Sequence, residues 1–266
     1  MTHTDLTGHV AVVTGAGSGV GQAIAVALAR AGAAVALIGR RAHKLEETAA
    51  QVHMAGACLL VLPGDASAIS DVERLYTEVI RQLGPASILI NSAGVHGEFT
   101  PIRESDPHRW TQTMQINAIG PYLMCRAFLG DMLDRGWGRI INVSSAAAFG
   151  DIGGVNSAYQ LSKVTLNHFT RQLAAEVAGT GVTVNAMHPG EVRTEMWEAI
   201  RDDGEARPAS GEGARRWARI VDETGGDPPQ KAVDVVFSAL RPDADAVNGR
   251  FLWIDDGMTK PMPTWD

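Results

Sequence analysis

Residues 10–21 read Val-Ala-Val-Val-Thr-Gly-Ala-Gly-Ser-Gly-Val-Gly, and this stretch decides the fold. Its apolar, largely β-branched start is typical of a buried strand. The alanine-rich stretch from Gln22 to Arg30 that follows the glycines predicts a helix. Strand, glycine turn and helix in this order present backbone N–H groups and a helix N-terminus to a phosphate. The spacing T-G-x-x-x-G-x-G, from Thr14 to Gly21, therefore favours a nucleotide-binding turn over a glycine turn without a ligand.

Short β-rich runs alternate with helical stretches along the rest of the chain. This alternation predicts a parallel sheet with helices on both faces, in which ligands bind at the carboxyl ends of the strands. We expect one α/β domain over residues 1–266, since no repeat or linker is visible. Strands are predicted at 10–13, 34–38, 58–62, 87–90, 138–143, 181–187 and 250–254, and helices at 20–31, 42–55, 70–82, 106–134, 157–178 and 229–240.

Tyr159 and Lys163 stand four residues apart in a stretch whose apolar spacing predicts a helix. Two side chains at this spacing lie on one helical face. Tyrosine titrates near ~10 and lysine near ~10.4, so neither alone is a good proton carrier at neutral pH. A neighbouring cation lowers the pKa of a tyrosine, and the pair therefore predicts an acid–base site. The alternative is a chance pair on a long helix.

The chain resembles the short-chain dehydrogenase/reductase family in its single-domain form of roughly 250 residues. Beyond residues 14–21 and the Tyr159–Lys163 pair, the resemblance rests on motifs in the family's order, over about residues 8–257. The resemblance implies a Rossmann-like, doubly wound domain with a seven-stranded parallel sheet, and a homo-oligomer, either dimer or tetramer. The further motifs are Asp65, Asn91-Ser92-Ala93-Gly94, Asn117, Ser145, Pro189-Gly190 and Asp256-Gly257.

The resemblance also implies a catalytic tetrad of Asn117, Ser145, Tyr159 and Lys163. Tyr159 would exchange a proton with the substrate oxygen, and Ser145 would hydrogen-bond the same oxygen. Lys163 would lower the pKa of the tyrosine and bind the nicotinamide ribose, while Asn117 would hold a water that connects Lys163 to solvent. The family usually places the serine thirteen residues before the tyrosine, whereas fourteen separate them here, so Ser144 stays an alternative to Ser145.

A nicotinamide dinucleotide is the implied cofactor. Asp65 and Ala66 would bind the adenine, and Val192 and Thr194 would meet the carboxamide. Asp65 could instead be a turn aspartate after a strand. The complete expected set is Thr14, Gly15, Gly17, Ser18, Gly19, Val20, Gly21, Arg40, Arg41, Asp65, Ala66, Asn91, Ala93, Gly94, Tyr159, Lys163, Pro189, Gly190, Val192 and Thr194.

The second strand ends in Leu37-Ile38-Gly39-Arg40-Arg41, and this sequence bears on the choice of cofactor. An NAD enzyme of this kind normally has a carboxylate at the position of Gly39, to bond the ribose 2′-OH. Here a guanidinium follows instead, which matches a phosphate in charge and geometry. We therefore expect NADP(H) over NAD(H). Ser18 weakens that expectation, since many NADP members carry a base there.

Residues 194–227 interrupt the alternation of strands and helices. They hold nine acids and five bases, a net charge of −4, with Trp197 and Trp217 near the two ends. A disordered surface insertion is one interpretation. The family places a mobile substrate lid here, and the tryptophans favour a lid because they have apolar surface to bury. The candidate pocket residues are His96, Phe149, Asp151, His188 and Trp197.

Composition excludes several other classes of function. The net charge is −7 without a basic face, so we expect no nucleic-acid binding. No apolar run approaches the ~18 residues of a membrane span, and the start lacks a secretory signal, which predicts a cytoplasmic protein without membrane contact. Cys58 and Cys125 are expected to be buried free thiols. Eight scattered histidines lack the spacing of a zinc site, so no metal is predicted.

Three functions remain open. The leading one is oxidation and reduction between a ketone and a secondary alcohol of a free small molecule. The second is reduction of a 3-oxoacyl group on an acyl carrier protein. Carrier proteins are acidic and need basic docking residues, whereas this chain has Gly179-Thr180-Gly181 after the long helix and an acidic lid. The third is a catalytically idle dinucleotide sensor, which would usually have lost Tyr159 or Lys163.

Overall fold

A computed structural model describes residues 4–53, 58–149, 155–207 and 210–255. Seven parallel strands form one sheet in the order β3-β2-β1-β4-β5-β6-β7, which confirms the predicted doubly wound α/β fold. The last predicted strand is shorter than expected, and its regular part covers two residues. The strands are β1 Val10–Thr14, β2 Ala34–Gly39, β3 Leu59–Pro63, β4 Ile88–Asn91, β5 Gly138–Val143, β6 Val182–Met187 and β7 Phe251–Leu252.

The helices cover both faces of the sheet, and β1 shows why its run is apolar throughout. Ala11 and Val13 pack into the core on one face, while Val10 and Val12 pack into the core on the other. Alternate residues of a strand point to opposite faces, so a sheet covered twice needs apolar residues at every position. The helices are α1 Gly19–Arg30, α2 Ala42–His53, α3 Ile69–Leu83, α4 Pro107–Met114, α5 Gly120–Arg135, α6 Ser157–Glu176, α7 Glu195–Ala206, α8 Glu212–Thr224 and α9 Pro229–Ala239.

The direction of winding reverses at β1. This strand pairs with β2 on one side and with β4 on the other. The connections to the two neighbours leave in opposite directions, which opens a crevice at the carboxyl ends of β1 and β4. Thr14 ends β1 and Asn91 ends β4, so the glycine turn and the Asn-Ser-Ala-Gly motif meet at this crevice.

The helix predicted over residues 106–134 is not a regular α-helix. Asp106 caps α4 by accepting a hydrogen bond from the N–H of His108. A π-helical segment, Gln115–Ile119, then separates α4 from α5. A π-helical turn holds more residues than an α-helical turn, so it changes the face to which the next side chains point. Asn117 lies inside this segment and is fully buried.

The described residues of segment 194–227 include two helices, α7 and α8, which differs from the interpretation as a disordered insertion. Thr194 caps α7 by accepting a hydrogen bond from the N–H of Trp197. Ile200 of α7 and Ala214 of α8 pack with Phe99 in a small separate core. The segment therefore has apolar faces of its own, although its overall composition is polar.

The two cysteines differ in their surroundings. Cys125 is buried in α5, as expected, whereas Cys58 is exposed, which corrects the sequence expectation. Cys58 precedes β3, an edge strand of the sheet with a neighbour on one side only, so its apolar flanks do not imply burial. Among the described residues, no helix is both long and apolar enough to cross a membrane.

Candidate active site

The glycine turn lies tightly against the end of β4. Thr14 Oγ1 accepts hydrogen bonds from the N–H groups of Ser92 and Ala93, at 3.1 Å each. Gly15 has a φ of +66°, and a Cβ at this position would lie 2.8 Å from the Ala93 nitrogen. A Cβ at Gly21 would lie 2.4 Å from the Gly15 carbonyl oxygen. The backbone can approach this closely only without side chains, as a pyrophosphate-binding turn requires.

The end of β2 carries the groups expected at the adenosine end. Arg40 is exposed, and no ion pair involving it is present in the described part of the chain. Arg41 instead donates from Nη2 to Ser18 Oγ at 3.2 Å and to Glu195 Oε2 at 2.6 Å. Ser18 and Arg41 are thus brought together, and Glu195 from the start of α7 joins them.

Asp65 lies in a turn between β3 and α3. Its Oδ1 accepts hydrogen bonds from the N–H of Ser67 at 2.9 Å and from the Ser67 hydroxyl at 2.6 Å, which is the geometry of a turn aspartate. The same residue also borders a cavity of about 450 Å³, whose wall includes Gln115 from the π-helical segment. Ala66 is half-buried, and its carbonyl lies near Gly120 at the start of α5.

Tyr159 and Ser145 are brought into direct contact. The Ser145 hydroxyl lies close enough to the Tyr159 phenol to lower its pKa, and Ser145 Oγ accepts a hydrogen bond from the N–H of Ala147 at 3.1 Å. The hydroxyl of Ser144 is buried and has no hydrogen-bond partner among the residues that the structure describes. Of the two serines, Ser145 is therefore the one that acts on the pKa of Tyr159.

Lys163 is almost completely buried, and its Nζ donates to the carbonyl of Val143 at the end of β5, at 2.8 Å. Burial lowers the pKa of Lys163 to about 8. Burial also raises the pKa of Tyr159, an effect that the Ser145 hydrogen bond opposes and the nearby Glu191 carboxylate adds to. The direction is opposite to the one predicted from the Tyr–Lys spacing, because desolvation of the phenolate is the largest effect on this pKa.

Asn117 is held by the loop after β4. Its Nδ2 donates to the Val95 carbonyl at 2.8 Å and to Ser162 Oγ at 3.0 Å, and its Oδ1 accepts from the N–H of Val95 at 2.9 Å. A Cβ at Gly94 would lie 3.4 Å from Asn117 Oδ1 and 3.8 Å from Lys163 Nζ. Because Gly94 has no side chain, the space between the Asn117 amide and the Lys163 ammonium stays open. This space fits a group bound against Lys163.

Asn91 has a different environment from the other expected cofactor residues. It is buried in the sheet, and its Nδ2 donates to Asn142 Oδ1 on β5 at 2.9 Å. Asn142 in turn donates to the hydroxyl of Thr170 on α6. The side chain of Asn91 therefore ties β4 to β5 and, through Asn142, to the helix of Tyr159.

The loop after β6 connects the sheet to α7. Gly190 has a φ of +89°, and a Cβ there would lie 2.9 Å from Asp227 Oδ2. Val192 is buried. A Cβ at Gly19 would lie 2.9 Å from the methyl carbon of Thr194, so the start of α7 packs directly on the glycine turn. Thr194 thus borders the same crevice as residues 14–21, and Pro189, Gly190 and Val192 precede it in the loop.

The candidate pocket residues have separate surroundings. His96 stacks on Phe99, and Phe149 packs edge-on against Phe251. His188 accepts from the N–H of Ala146 through Nδ1 at 3.3 Å, beside Ser145. Trp197 is buried between two guanidinium groups, which lie 5.0 and 5.2 Å from its ring. Asp151 lies outside the described residues.

Glu191 was not singled out from the sequence, although it follows Pro189-Gly190 directly. Its carboxylate accepts a hydrogen bond from Trp217 Nε1 of α8, and its Oε1 lies 3.9 Å from His188 Nε2. Burial raises the pKa of Glu191, while the Trp217 hydrogen bond opposes the rise. The available signal in the sequence was an acidic residue shortly after the carboxyl end of β6. No group of three or more possible metal ligands occurs in the described ranges.

Comparison with known proteins agrees with this geometry. The chain is 37% identical over 262 residues to galactitol 2-dehydrogenase (L-tagatose-forming) of Cereibacter sphaeroides, with 96% of each chain covered. It is 34% identical to 2-(S)-hydroxypropyl-CoM dehydrogenase 3 of Xanthobacter autotrophicus, over 96% of this chain and 98% of that one.

A similar solved structure is L-sorbose reductase from Gluconobacter frateurii complexed with NADPH and L-sorbose, with a TM-score of 0.82 and 27% identity. The similarity covers 98% of this chain and all of that one. The family model for short chain dehydrogenase matches residues 9–205 of this chain. The chain therefore belongs to the short-chain dehydrogenase/reductase family of oxidoreductases.

Proposed function

We propose that the protein interconverts a ketone and a secondary alcohol on a free small molecule, with NADP(H) as the cofactor. The neighbouring hydroxyls of Tyr159 and Ser145, beside the buried Lys163, carry this proposal. Two hydroxyls that meet at the carboxyl ends of the strands can both reach one substrate oxygen. The nicotinamide, when bound, supplies or accepts the hydride.

Tyr159 is the proposed proton donor to the carbonyl oxygen in reduction and the acceptor of the alcohol proton in oxidation. Its raised pKa keeps the phenol protonated at neutral pH, which suits donation in the reductive direction. Ser145 orients the same oxygen, and its own orientation is supported by the hydrogen bond from the N–H of Ala147.

Lys163 and Asn117 complete the proposed catalytic set. A lysine whose pKa is about 8 exists in both protonation states near neutral pH, so Lys163 can pass a proton as well as hold a ribose hydroxyl. Asn117 is fixed through both ends of its amide, which supports a positioning role next to Lys163. The proposed proton route runs from Tyr159 through Lys163 towards the loop of Asn117.

Gly39, Arg40 and Arg41 support NADP(H). Gly39 offers no carboxylate to a ribose 2′-OH, and Arg40 has an exposed guanidinium outside any ion pair of the described residues. Arg41 and Ser18 already meet at the same edge of the glycine turn. The NADPH named in the similar sorbose reductase structure adds support. The remaining proposed cofactor residues are those of the expected set, with Asn91 acting through the sheet.

A free small-molecule substrate is supported by the relatives and by charge. Galactitol and L-sorbose, named for two similar proteins, are small polyhydroxylated molecules. The segment 194–227, which we propose as the substrate lid, has a net charge of −4, and an acidic carrier protein would be repelled by it. We propose that His96, Phe149, His188 and Trp197 contribute to the pocket walls, with Asp151 as a further candidate.

We also propose a single domain that assembles into a dimer or tetramer. The continuous seven-stranded sheet supports one domain. Ile119, Tyr122 and Leu161 are large apolar side chains that are 40%, 44% and 48% exposed around α5 and α6. Exposed apolar side chains of this size favour a protein partner, and a second copy of the chain is the simplest one. Light scattering at several protein concentrations tests the assembly.

The function is tested by following NADPH absorbance with a panel of ketones, polyols and acyl thioesters. We expect turnover of at least one free ketone or polyol, and loss of that turnover in Tyr159→Phe. Faster reduction of an acyl-carrier-protein substrate than of every free ketone would favour the carrier-protein reaction. Tight cofactor binding without turnover of any substrate would favour a sensor.

A further inference from the structure

A carboxylate from the proposed lid reaches into the adenosine end of the crevice. Glu195 is the first residue of α7, and its Oε2 lies 2.6 Å from Arg41 Nη2. Its Oε1 lies 3.8 Å from Lys44 Nζ on α2. Arg41 Nη2 also donates to Ser18 Oγ in the glycine turn. One acidic side chain of the lid is thus paired with a guanidinium next to the cofactor turn.

The Glu195 carboxylate can compete with a phosphate for the Arg41 guanidinium, because it is ionised at neutral pH. The hydrogen bond from Arg41 holds the pKa of Glu195 below its ordinary value, and the positive charges of Arg41 and Lys44 act in the same direction. A guanidinium binds a carboxylate and a phosphate through the same N–H groups. Arg41 therefore cannot offer the same N–H groups fully to both.

We propose that Glu195 competes with the 2′-phosphate of the cofactor for Arg41 and thereby limits the preference for NADP(H) over NAD(H). The proposal rests on the proposed NADP(H) function and adds a specificity-determining residue from the lid. A cofactor with a free 2′-OH carries no anion that could displace the carboxylate, so the Arg41–Glu195 pair is kept with NAD(H).

Glu195 keeps a nearby cation when Arg41 moves from the carboxylate to the 2′-phosphate. When Arg41 turns to a phosphate, Lys44 remains within reach of the carboxylate, although Lys44 also pairs with Glu47 at 2.9 Å. Both Arg41 and Glu195 are about half exposed, so neither state buries an unpaired charge. The exchange also frees the first turn of α7 from Arg41, which connects the identity of the cofactor to the lid.

Two nucleotides that differ only in the 2′-phosphate isolate this effect. The affinities of adenosine 2′,5′-bisphosphate and adenosine 5′-monophosphate are measured by calorimetry for wild type and Glu195→Gln. We expect the variant to bind the bisphosphate about three- to tenfold more tightly and the monophosphate within about twofold of wild type. Glu198→Gln, which removes an exposed carboxylate from the same helix, should change neither affinity.

A double-mutant cycle separates competition from simple repulsion. Arg41→Ala should weaken bisphosphate binding about tenfold, and in that background Glu195→Gln should have no further effect. If Glu195→Gln still raises the bisphosphate affinity in the Arg41→Ala background, competition for Arg41 is wrong. It is also wrong if Glu195→Gln raises the affinities of both nucleotides equally or leaves the bisphosphate affinity unchanged. A wild type that binds both nucleotides equally, but prefers the bisphosphate after Glu195→Gln, would contradict the NADP(H) proposal and support the role of Glu195.

Discussion

The Nζ of Lys163 lies 5.6 Å from the centroid of the Tyr159 ring, and its hydrogen bond goes to the carbonyl of Val143. The ammonium thus faces the aromatic ring, while the Ser145 hydroxyl acts on the pKa of the phenol. The two residues share one helical face, yet the lysine is anchored to the sheet. This anchoring explains why the pKa of the tyrosine is governed first by burial.

Replacing Tyr159 with Phe should remove the proton donor and leave the ring packing in place. We expect turnover to fall by ~10²–10⁴-fold, the usual effect of losing a general acid. NADPH affinity, measured by fluorescence titration, and the melting temperature should stay close to those of wild type. Turnover within a few-fold of wild type would exclude Tyr159 as the donor.

Lys163 should make stability depend on pH in a defined direction. Its folded pKa of about 8 lies below its unfolded value, so the unfolded chain binds more protons between these two pKa values. Stability should therefore rise with pH in this range. Relative to Lys163→Met, wild type should gain about 2 kcal/mol in free energy of unfolding between about pH 7.5 and 9.5. Parallel pH curves for the two proteins, from urea titrations, would show that Lys163 keeps an ordinary pKa.

The close packing of the glycine turn should make Gly21 intolerant of a side chain. Its Cβ would meet the Gly15 carbonyl oxygen at 2.4 Å, so Gly21→Ala should cost about 1–3 kcal/mol in free energy of unfolding. Gly130 is a matched control in α5, since nothing lies within 4 Å of an added Cβ. Gly130→Ala should stabilise by about 0.5–1 kcal/mol. Equal effects of the two changes in chemical denaturation would contradict the packing at Gly21.

Gly39→Asp combined with Arg40→Ala should invert the cofactor preference. The new carboxylate would accept hydrogen bonds from a ribose 2′-OH and repel a 2′-phosphate. An added Cβ at Gly39 would lie 3.3 Å from Leu45 Cδ2, which is the end of a flexible side chain and can move. We expect kcat/KM for NADPH relative to NADH to change by about ten- to over a hundredfold. A wild type that already prefers NADH would show that Arg40 does not bind the cofactor.

Glu191→Gln should change the pH profile of the reaction. Its carboxylate adds to the rise in the pKa of Tyr159, after the effect of burial. Removal of this charge should move the pKa seen in kcat/KM for alcohol oxidation to lower pH. Glu223→Gln, an exposed acid of α8, serves as the control of equal charge and should leave the profile in place. An unchanged profile in both variants would mean that Glu191 is electrostatically remote from the tyrosine.

The sheet could be predicted from sequence because each strand carries its own signal. Apolar runs followed by Gly, Asn or Asp mark the carboxyl ends of β1, β3 and β4, and the predicted strand positions agree with the structure within a few residues. The expected site residues stay predictions, although the structure brings Asn117, Ser145, Tyr159 and Lys163 to one end of the sheet. Asn91 shows the limit of predicting contacts from a motif, because the Asn-Ser-Ala-Gly motif does not indicate that the Asn91 amide faces Asn142.

Features that depend on tertiary surroundings could not be read from residue patterns. The direction of the Tyr159 pKa shift follows from desolvation, which spacing along a helix does not report. The helices α7 and α8 were missed because their apolar residues pack on a small core with Phe99 rather than on the sheet. The pairing of Arg41 with Glu195 joins residues 154 positions apart and leaves no local signal.

The π-helical segment at Gln115–Ile119 has a consequence for how this site can vary. A π-helical turn contains one more residue than an α-helical turn. A substitution changes a side chain but cannot add or remove this residue. Deleting one residue there would restore a regular helix but turn Asn117 by roughly 100° away from Val95 and Ser162. The position of Asn117 therefore depends on the number of residues in this turn, and a substitution elsewhere in the turn cannot compensate for a deletion.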